Sequence, residues 1–232
     1  MTGVVLTALA MACSGDGAAR DTTSSTKPAS PQENPAVVAD STPATLDGRR
    51  TILFLGTSLT AGLGLEPDSA YPQQIQRKID ASGLPYQVVN AGVSGETSAG
   101  LLRRLDWVLR RPADVVVVET GANDGLRGLP VNATRATIGD VLTRIRNERP
   151  DATILLAQME APPNLGQEYT SAFRTMFPEL AREHGVTLIP FLLQGVAGVE
   201  RLNQNDGIHP NNAGERVVTD NVWKVLRPLL QR

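Results

Sequence analysis

Ser58, Asp206 and His209 are the residues whose types and spacing could carry out nucleophilic catalysis. Ser58 follows an apolar run that ends at Gly56, the pattern of a buried strand followed by a sharp turn. A serine just beyond the carboxyl end of such a strand lies where open α/β sheets place their ligand crevice. The same motif alone is also typical of an ordinary turn or helix cap, because serine and threonine are common at both.

The two histidines of the chain determine which residue could act as a general base. His184 lies in the last turn of a predicted helix, where an imidazole meets free carbonyl groups, so we predict a structural role for it. His209 lies in a loop, three residues after Asp206. A carboxylate there can accept the Nδ1 proton and leave Nε2 free to take the proton of a serine hydroxyl. The alternative is that Asp206 and His209 merely cap a turn.

Two further turns carry polar groups that could take part in the same chemistry. Residues 90–97 form a glycine-rich turn that opens a predicted helix, and residues 120–125 follow a buried strand. Within the second turn, Asn123 could donate its amide to a developing oxyanion or ligate a cation through its carbonyl. Parallel strands would gather these turns and the Ser58 turn at one edge of a sheet, beside the loop that carries His209.

The elements that must position these turns alternate between strand and helix along the chain. Apolar runs predict strands at 51–55, 86–89, 115–119, 153–158 and 186–189. Helical spacing predicts helices at 71–81, 97–109, 133–148, 169–184 and 212–230. This alternation predicts an α/β fold, a three-layer α/β/α sandwich around a central parallel sheet of about five strands.

Four segments of the domain resemble, in order, the sequence blocks of the SGNH (GDSL-type) hydrolases, whose fold is flavodoxin-like. They are Gly56-Thr57-Ser58-Leu59, the Gly95 turn, Gly121-Ala122-Asn123-Asp124 and Asp206-x-x-His209, and the resemblance spans about Thr51 to Leu230. Residues 89–98 and 121–128 are similar to one branch in particular. That branch comprises the bacterial exported esterases described as thioesterase, lysophospholipase and arylesterase.

The resemblance implies a role for each matching residue. Ser58 would be the nucleophile, His209 the general base and Asp206 the group that orients it. The oxyanion hole would consist of the Ser58 and Gly95 backbone N–H groups and the Asn123 amide. Gly92 is an alternative to Gly95, but Gly95 holds the place in the Ser-Gly-acidic-Thr block. The implied reaction is ester or thioester hydrolysis by a monomer that needs no cofactor and no metal.

Thr57 departs from the family pattern, which has an aspartate before the serine. Because that position lies outside the catalytic triad, we expect changed support of the loop around Ser58 and retained catalysis. Acyl specificity is expected to depend on the apolar residues of the loops at 63–70, 126–132 and 162–167. An acyl chain or aromatic ester suits these loops, and a carbohydrate O-deacetylase of the same fold is the alternative within the family.

Three readings from other protein classes are less consistent with the residues. The α/β-hydrolase fold requires Gly-x-Ser-x-Gly and a distant acid, whereas Thr60 stands two residues after Ser58. A metal-dependent phosphoesterase could use Asn123, Asp124, Asp206 and His209 as ligands, but it leaves Ser58 and Gly95 unexplained. A non-catalytic ligand-binding module would be favoured by loss of a triad residue, and all three are present.

Several conspicuous side chains of the predicted helices are expected to have structural roles. Arg103, Arg104, Arg110 and Arg111 are expected on solvated helix faces. Trp107 and Trp223 are expected to face the core. The 232-residue chain has a net charge of −2, which gives no electrostatic reason to expect a nucleic-acid partner.

The first 13 residues have the pattern of an export signal. A short apolar run, Val4–Ala12, precedes Cys13. The segment Leu9-Ala10-Met11-Ala12-Cys13 resembles a bacterial lipobox, so Cys13 is predicted to be lipidated. A plain cleaved secretory signal is the alternative. As the single cysteine, Cys13 can form no internal disulfide. We therefore predict an exported protein of the periplasm or cell envelope, attached to a membrane only through a lipid anchor.

Residues 14–47 are rich in Ser, Thr, Pro, Ala and Gly and contain few large apolar side chains. Such a segment cannot bury enough surface to offset the entropy lost on ordering, so it is predicted to be a disordered tether. The hydrolase domain is accordingly predicted at residues 48–232.

Overall fold

The computed structural model describes residues 48–231. Cys13 and the predicted signal and tether lie outside the described residues, so those interpretations stay predictions. The strands are β1 (Arg50–Gly56), β2 (Tyr86–Gly92), β3 (Val115–Val118), β4 (Thr153–Ala157) and β5 (Thr187–Ile189). The helices are α1 (Ser58–Ala61), α2 (Tyr71–Ala81), α3 (Ser98–Val108), α4 (Ala122–Leu126), α5 (Val131–Glu148), α6 (Gln167–Glu183) and α7 (Asn212–Leu230).

The five strands form one parallel sheet in the order β2-β1-β3-β4-β5. Chain order therefore reverses between β1 and β3, with β2 on one side and β4 and β5 on the other. In doubly wound sheets such a reversal opens a crevice beyond the carboxyl ends of the strands. Ser58 follows β1 and Asn123 follows β3, so the topology places both at this crevice.

Helices cover both faces of the sheet and bury its apolar strands. α3 packs against α5 and α5 against α6, while α2 packs against α7. Between these layers, the central strands β1, β3 and β4 are almost wholly buried, as strands covered on both faces must be. The predicted three-layer α/β/α sandwich with a parallel five-stranded sheet is confirmed. No helix between residues 48 and 231 is long and apolar enough to cross a membrane.

The five predicted strands and five predicted long helices are all present, with ends that differ by at most three residues. The short helices α1 and α4 were not predicted. Each lies directly after a central strand and is too short to show apolar periodicity.

Two side-chain predictions on α3 are wrong. Trp107 is 63% exposed, because it lies roughly 120° around the helix from the buried stripe of Leu101, Leu105 and Val108, at about 100° per residue. Arg104 does not lie on a solvated face. Its guanidinium binds both carboxylate oxygens of Glu96 at 2.7 Å and donates to a β2 carbonyl at 2.8 Å. Trp223, by contrast, is partly buried and packs against the core.

Candidate active site

The structure brings Ser58, His209 and Asp206 into one hydrogen-bonded chain. His209 Nε2 lies 2.9 Å from Ser58 Oγ, and His209 Nδ1 lies 2.6 Å from Asp206 Oδ2. Ser58 is the first residue of α1, and His209 comes from the loop before α7, 151 residues later. The other predicted histidine position, His184, caps the C-terminus of α6 and does not line the same cavity.

The loop that carries His209 is folded around the Asp206 carboxylate. Asp206 Oδ1 accepts the backbone N–H groups of Ile208, at 2.9 Å, and His209, at 3.0 Å. These bonds form a turn that brings the His209 imidazole back to the Asp206 carboxylate. The His209 backbone N–H, the His209 ring and the Ile208 N–H together lower the pKa of Asp206 to about 2. Asp206 therefore stays ionised at any pH above that range and remains an acceptor for Nδ1–H.

Gly95 and Asn123 line the same cavity as Ser58 and His209. Gly95 has a φ of +76°, a left-handed conformation that glycine adopts without steric cost. Asn123 Nδ2 donates to the Glu96 carbonyl at 3.0 Å, so one of its two amide hydrogens is already used. The alternative glycine, Gly92, packs against the backbone of α1, where a Cβ would collide with the Ala61 nitrogen.

The turn that carries Gly95 is held in place by three side chains from outside it. Arg104 holds the Glu96 carboxylate, Asn123 holds the Glu96 carbonyl, and Arg127 donates to the Gly95 carbonyl at 2.9 Å. These contacts engage carbonyl and carboxylate oxygens, and none of the three uses the backbone N–H of Gly95. The turn is thus fixed relative to both β2 and α4.

A buried polar cluster beneath Ser58 was missed by the sequence reasoning. Glu119 follows β3, is completely buried, and accepts hydrogen bonds from Thr57 and Thr60. Burial raises the pKa of Glu119 to about 7, against the opposing effect of those bonds. Glu119 ends an apolar run of four valines, so the pattern marked it only as the end of a strand. A charged residue that closes a strand buried on both faces was the available signal.

Comparisons with known proteins show which family the chain resembles. The profile of the GDSL-like Lipase/Acylhydrolase family matches residues 54–217, a range that includes Ser58, Asp206 and His209. The chain belongs to this acylhydrolase family. The match begins within β1, includes β2 to β5 and ends in the first turns of α7, so it covers the turns and loops that carry the site residues.

Individual relatives of this acylhydrolase are esterases and thioesterases. It is 39% identical to the esterase TesA of Pseudomonas aeruginosa over 183 residues, which is 78% of this chain and 90% of the relative. It is 37% identical to the thioesterase 1/protease 1/lysophospholipase L1 of Escherichia coli K12, over 78% of this chain and 85% of the relative. A crystal structure of the psychrotrophic esterase EstA from Pseudoalteromonas sp., inhibited by monoethylphosphonate, superposes with a TM-score of 0.74 at 34% identity, covering 79% of this chain and all of EstA.

The cavity of the acylhydrolase has a volume of about 420 Å³ and a largely apolar lining. Each of the three predicted specificity loops contributes to it. The cavity also includes residues after β4 and β5 that were not predicted. The apolar lining residues are Leu59, Leu63, Ala122, Leu126, Met159, Ala161, Pro162, Pro163, Phe191, Leu193, Ala197 and Ile208.

Asp124, the acidic neighbour of Asn123, has a structural role in the acylhydrolase. Its carboxylate is buried and accepts the Ser98 backbone N–H at 2.8 Å and the Ser98 hydroxyl at 2.6 Å. It thereby joins the start of α3 to α4. Among residues 48–231, no three His, Cys, Asp or Glu side chains are grouped so that they could share a metal ion.

Proposed function

We propose that the protein is a serine esterase that hydrolyses carboxylic esters or thioesters through an acyl-enzyme. Ser58 is the nucleophile, His209 the general base and Asp206 the residue that orients the base. The observation that carries this proposal is the continuous chain of hydrogen bonds from Asp206 through His209 to Ser58, at 2.6 and 2.9 Å, opening onto an apolar cavity. Family membership and the esterase and thioesterase relatives support it.

The first half of the reaction forms the acyl-enzyme. A serine hydroxyl is a weak nucleophile until a base within hydrogen-bond reach takes its proton. As Ser58 Oγ bonds to the acyl carbon, its proton passes to His209 Nε2, and Asp206 stabilises the imidazolium that results. The tetrahedral intermediate then expels the alcohol or thiol, which leaves with the proton from Nε2.

The second half of the reaction releases the acid. A water molecule gives a proton to His209 Nε2 as its oxygen attacks the acyl carbon, and the Ser58 oxygen leaves with that proton. The cycle ends with free acid and the starting form of the enzyme, so each proton returns to its place. The donors proposed for the oxyanion are the N–H groups of Ser58 and Gly95 and the second amide hydrogen of Asn123. The first N–H groups of a helix have no partner within that helix, which suits Ser58 at the start of α1.

The shape and lining of the cavity favour an apolar acyl group. Its 420 Å³ lies within the range of small-molecule sites, and its walls are mostly aliphatic carbon. An acetyl group on a carbohydrate would leave most of that surface unused. We therefore favour esters and thioesters with an acyl chain of several carbons, or aromatic esters, over a carbohydrate O-deacetylase.

A panel of substrates tests the proposed function. We expect kcat/KM on p-nitrophenyl esters to rise from acetyl to longer acyl chains, and an acyl thioester and a lysophospholipid to be hydrolysed at the same site. Ser58→Ala should abolish each activity. Highest kcat/KM on an acetylated oligosaccharide would favour the deacetylase, and full activity in Ser58→Ala would contradict the proposal.

We also propose that the protein is exported and attached to a membrane through Cys13. This rests on the apolar run before that residue and on the composition of residues 14–47. Because all three proposed catalytic groups come from one chain, we propose that the domain acts as a monomer.

A further inference from the structure

Glu119 lies beneath the turn that presents Ser58 and binds the residues on both sides of the serine. Its Oε2 atom accepts the Thr57 backbone N–H at 2.7 Å and the Thr60 hydroxyl at 2.9 Å. Its Oε1 atom accepts the Thr57 hydroxyl, also at 2.9 Å. One carboxylate thus holds the residue before Ser58 and the residue two positions after it.

The Glu119 carboxylate accepts hydrogen bonds from Thr57 and Thr60 of this turn. Within residues 48–231, no lysine or arginine lies within ion-pair distance of its carboxylate. A buried carboxylate without a cationic partner costs free energy, and hydrogen bonds offset only part of that cost. A gain in stability therefore does not explain why a carboxylate is buried at position 119.

The groups around the Glu119 carboxylate are tightly packed. A Cβ on Gly56 would collide with the Thr60 hydroxyl and lie 2.7 Å from Glu119 Oε2, so the glycine leaves room for the pair. Tyr71 OH lies 2.8 Å from the Thr60 hydroxyl. Since Thr60 directs its one hydrogen to Glu119, Tyr71 donates to Thr60. The chain Tyr71–Thr60–Glu119 is therefore polarised towards the carboxylate.

The position of Thr57 shows how this cluster acts on the nucleophile. Thr57 is the N-cap of α1, but its side chain makes no capping hydrogen bond. Threonine at this position ordinarily bonds the free N–H groups of the first turn. Here the Thr57 hydroxyl donates to the Glu119 carboxylate, and the Thr57 carbonyl accepts the Ala61 backbone N–H at 2.9 Å. The position of Ser58 therefore depends on how Glu119 holds its neighbour.

We propose that Glu119 is a positioning residue for catalysis, which holds Thr57 and Thr60 so that Ser58 Oγ meets His209 and the Ser58 N–H meets the oxyanion. This inference rests on the proposed function, since it needs Ser58 to be the nucleophile. A displacement of about 1 Å in a reacting group can lower a rate by on the order of 10²-fold. Loss of the Glu119 bonds should therefore lower kcat and leave substrate binding in the apolar cavity unchanged.

Four variants test this role. Glu119→Gln removes the charge and replaces one acceptor oxygen by a donor, and Thr57→Val removes the donated hydroxyl with little change in shape. We expect each to lower kcat by about 10- to 10²-fold with KM within twofold of wild type. Thr57→Ser keeps the hydroxyl and should retain wild-type kcat. Glu215→Gln is the matched control, because Glu215 is equally buried and accepts a backbone N–H, but from Tyr71 on α2.

A purely structural role predicts a different pattern. Glu119→Gln and Glu215→Gln would then both change the melting temperature, and kcat of the folded enzyme would stay within fivefold of wild type. A kcat within fivefold of wild type in folded Thr57→Val, or in folded Glu119→Gln, would overturn the proposal. If Glu119→Gln does not fold, Thr57→Val decides the question alone, with a loss of more than fivefold as support.

A labelling experiment separates this inference from the proposed function. In wild type, a fluorophosphonate should modify Ser58, and in Glu119→Gln the same residue should be modified about 10- to 10²-fold more slowly. Labelling at another residue in wild type would refute the proposed function. Labelling of Ser58 at an unchanged rate in the folded variant would refute only the role of Glu119.

Discussion

Replacing Asn123 tests the proposed oxyanion hole at the one side chain that contributes to it. Asn123 lies on α4, immediately after the turn that follows β3, and lines the cavity beside Ser58. Its bond to the Glu96 carbonyl fixes the amide and leaves one hydrogen for the substrate. Removing one such donor from a serine hydrolase lowers kcat by about 10²–10³, or roughly 2.7–4 kcal/mol. We expect Asn123→Ala to show this loss with KM little altered, because the donor acts mainly in the transition state.

Asn123→Asp should be more damaging than Asn123→Ala. An ionised carboxylate offers no hydrogen, and it would face the Glu96 carbonyl that the amide now binds. It would also place a negative charge beside the developing oxyanion. Two unit charges about 4 Å apart repel by roughly 4 kcal/mol at an effective dielectric constant of 20, so the added loss can equal that of the missing donor.

Steady-state kinetics on one p-nitrophenyl ester measures both variants, with and without chelator. Asn147→Ala, at an exposed asparagine of α5, is the matched control and should retain wild-type kcat. A kcat within threefold of wild type in Asn123→Ala would refute the oxyanion role. Activity that survives in Asn123→Asp but disappears with chelator would show that this position binds a metal, because aspartate suits a hard cation at least as well as asparagine.

Three further predictions concern the base, a buried acid and the anchor. His209→Ala should lose most activity while His184→Ala keeps it, as measured by kcat/KM; equal losses would mean that the base is misplaced. Burial raises the pKa of Glu215 from its ordinary value of 4.5 to about 8, so the folded state loses stability relative to the unfolded state as pH rises between those two values. The melting temperature of Glu215→Gln relative to that of wild type should therefore be higher at pH 9 than at pH 5. An equal difference at both pH values would contradict this. In a bacterial host, Cys13→Ala should leave the membrane fraction; two forms that are equally soluble would favour plain secretion.

The fold and the grouping of Ser58, Asp206 and His209 could be predicted because their signals are local or ordered along the chain. Apolar runs separated by helical spacing specify buried strands and covering helices. The interval between Asp206 and His209 is short enough for one turn to set the geometry. Ser58 lies 151 residues from His209, and only the parallel topology and the family resemblance indicated that they meet.

The support around the triad could not be predicted, because it depends on contacts between distant elements. Glu119 binds Thr57 across two adjacent strands, and no periodicity in either segment reports that contact. The ion pair between Arg104 and Glu96 depends on how the turn before α3 folds back on the helix. Trp107 is exposed because the stripe of α3 that faces the sheet does not include it. The large aromatic side chain had favoured the incorrect prediction that it faces the core.

The most direct test of the central claim is the mapping of an acyl-enzyme mimic. The enzyme is treated with a fluorophosphonate, and the modified peptide is identified by mass spectrometry. The mechanism predicts one modification per molecule, on Ser58, in parallel with the loss of esterase activity, and none in Ser58→Ala. Modification of a different residue, or inactivation without modification of Ser58, would contradict the assignment of the nucleophile.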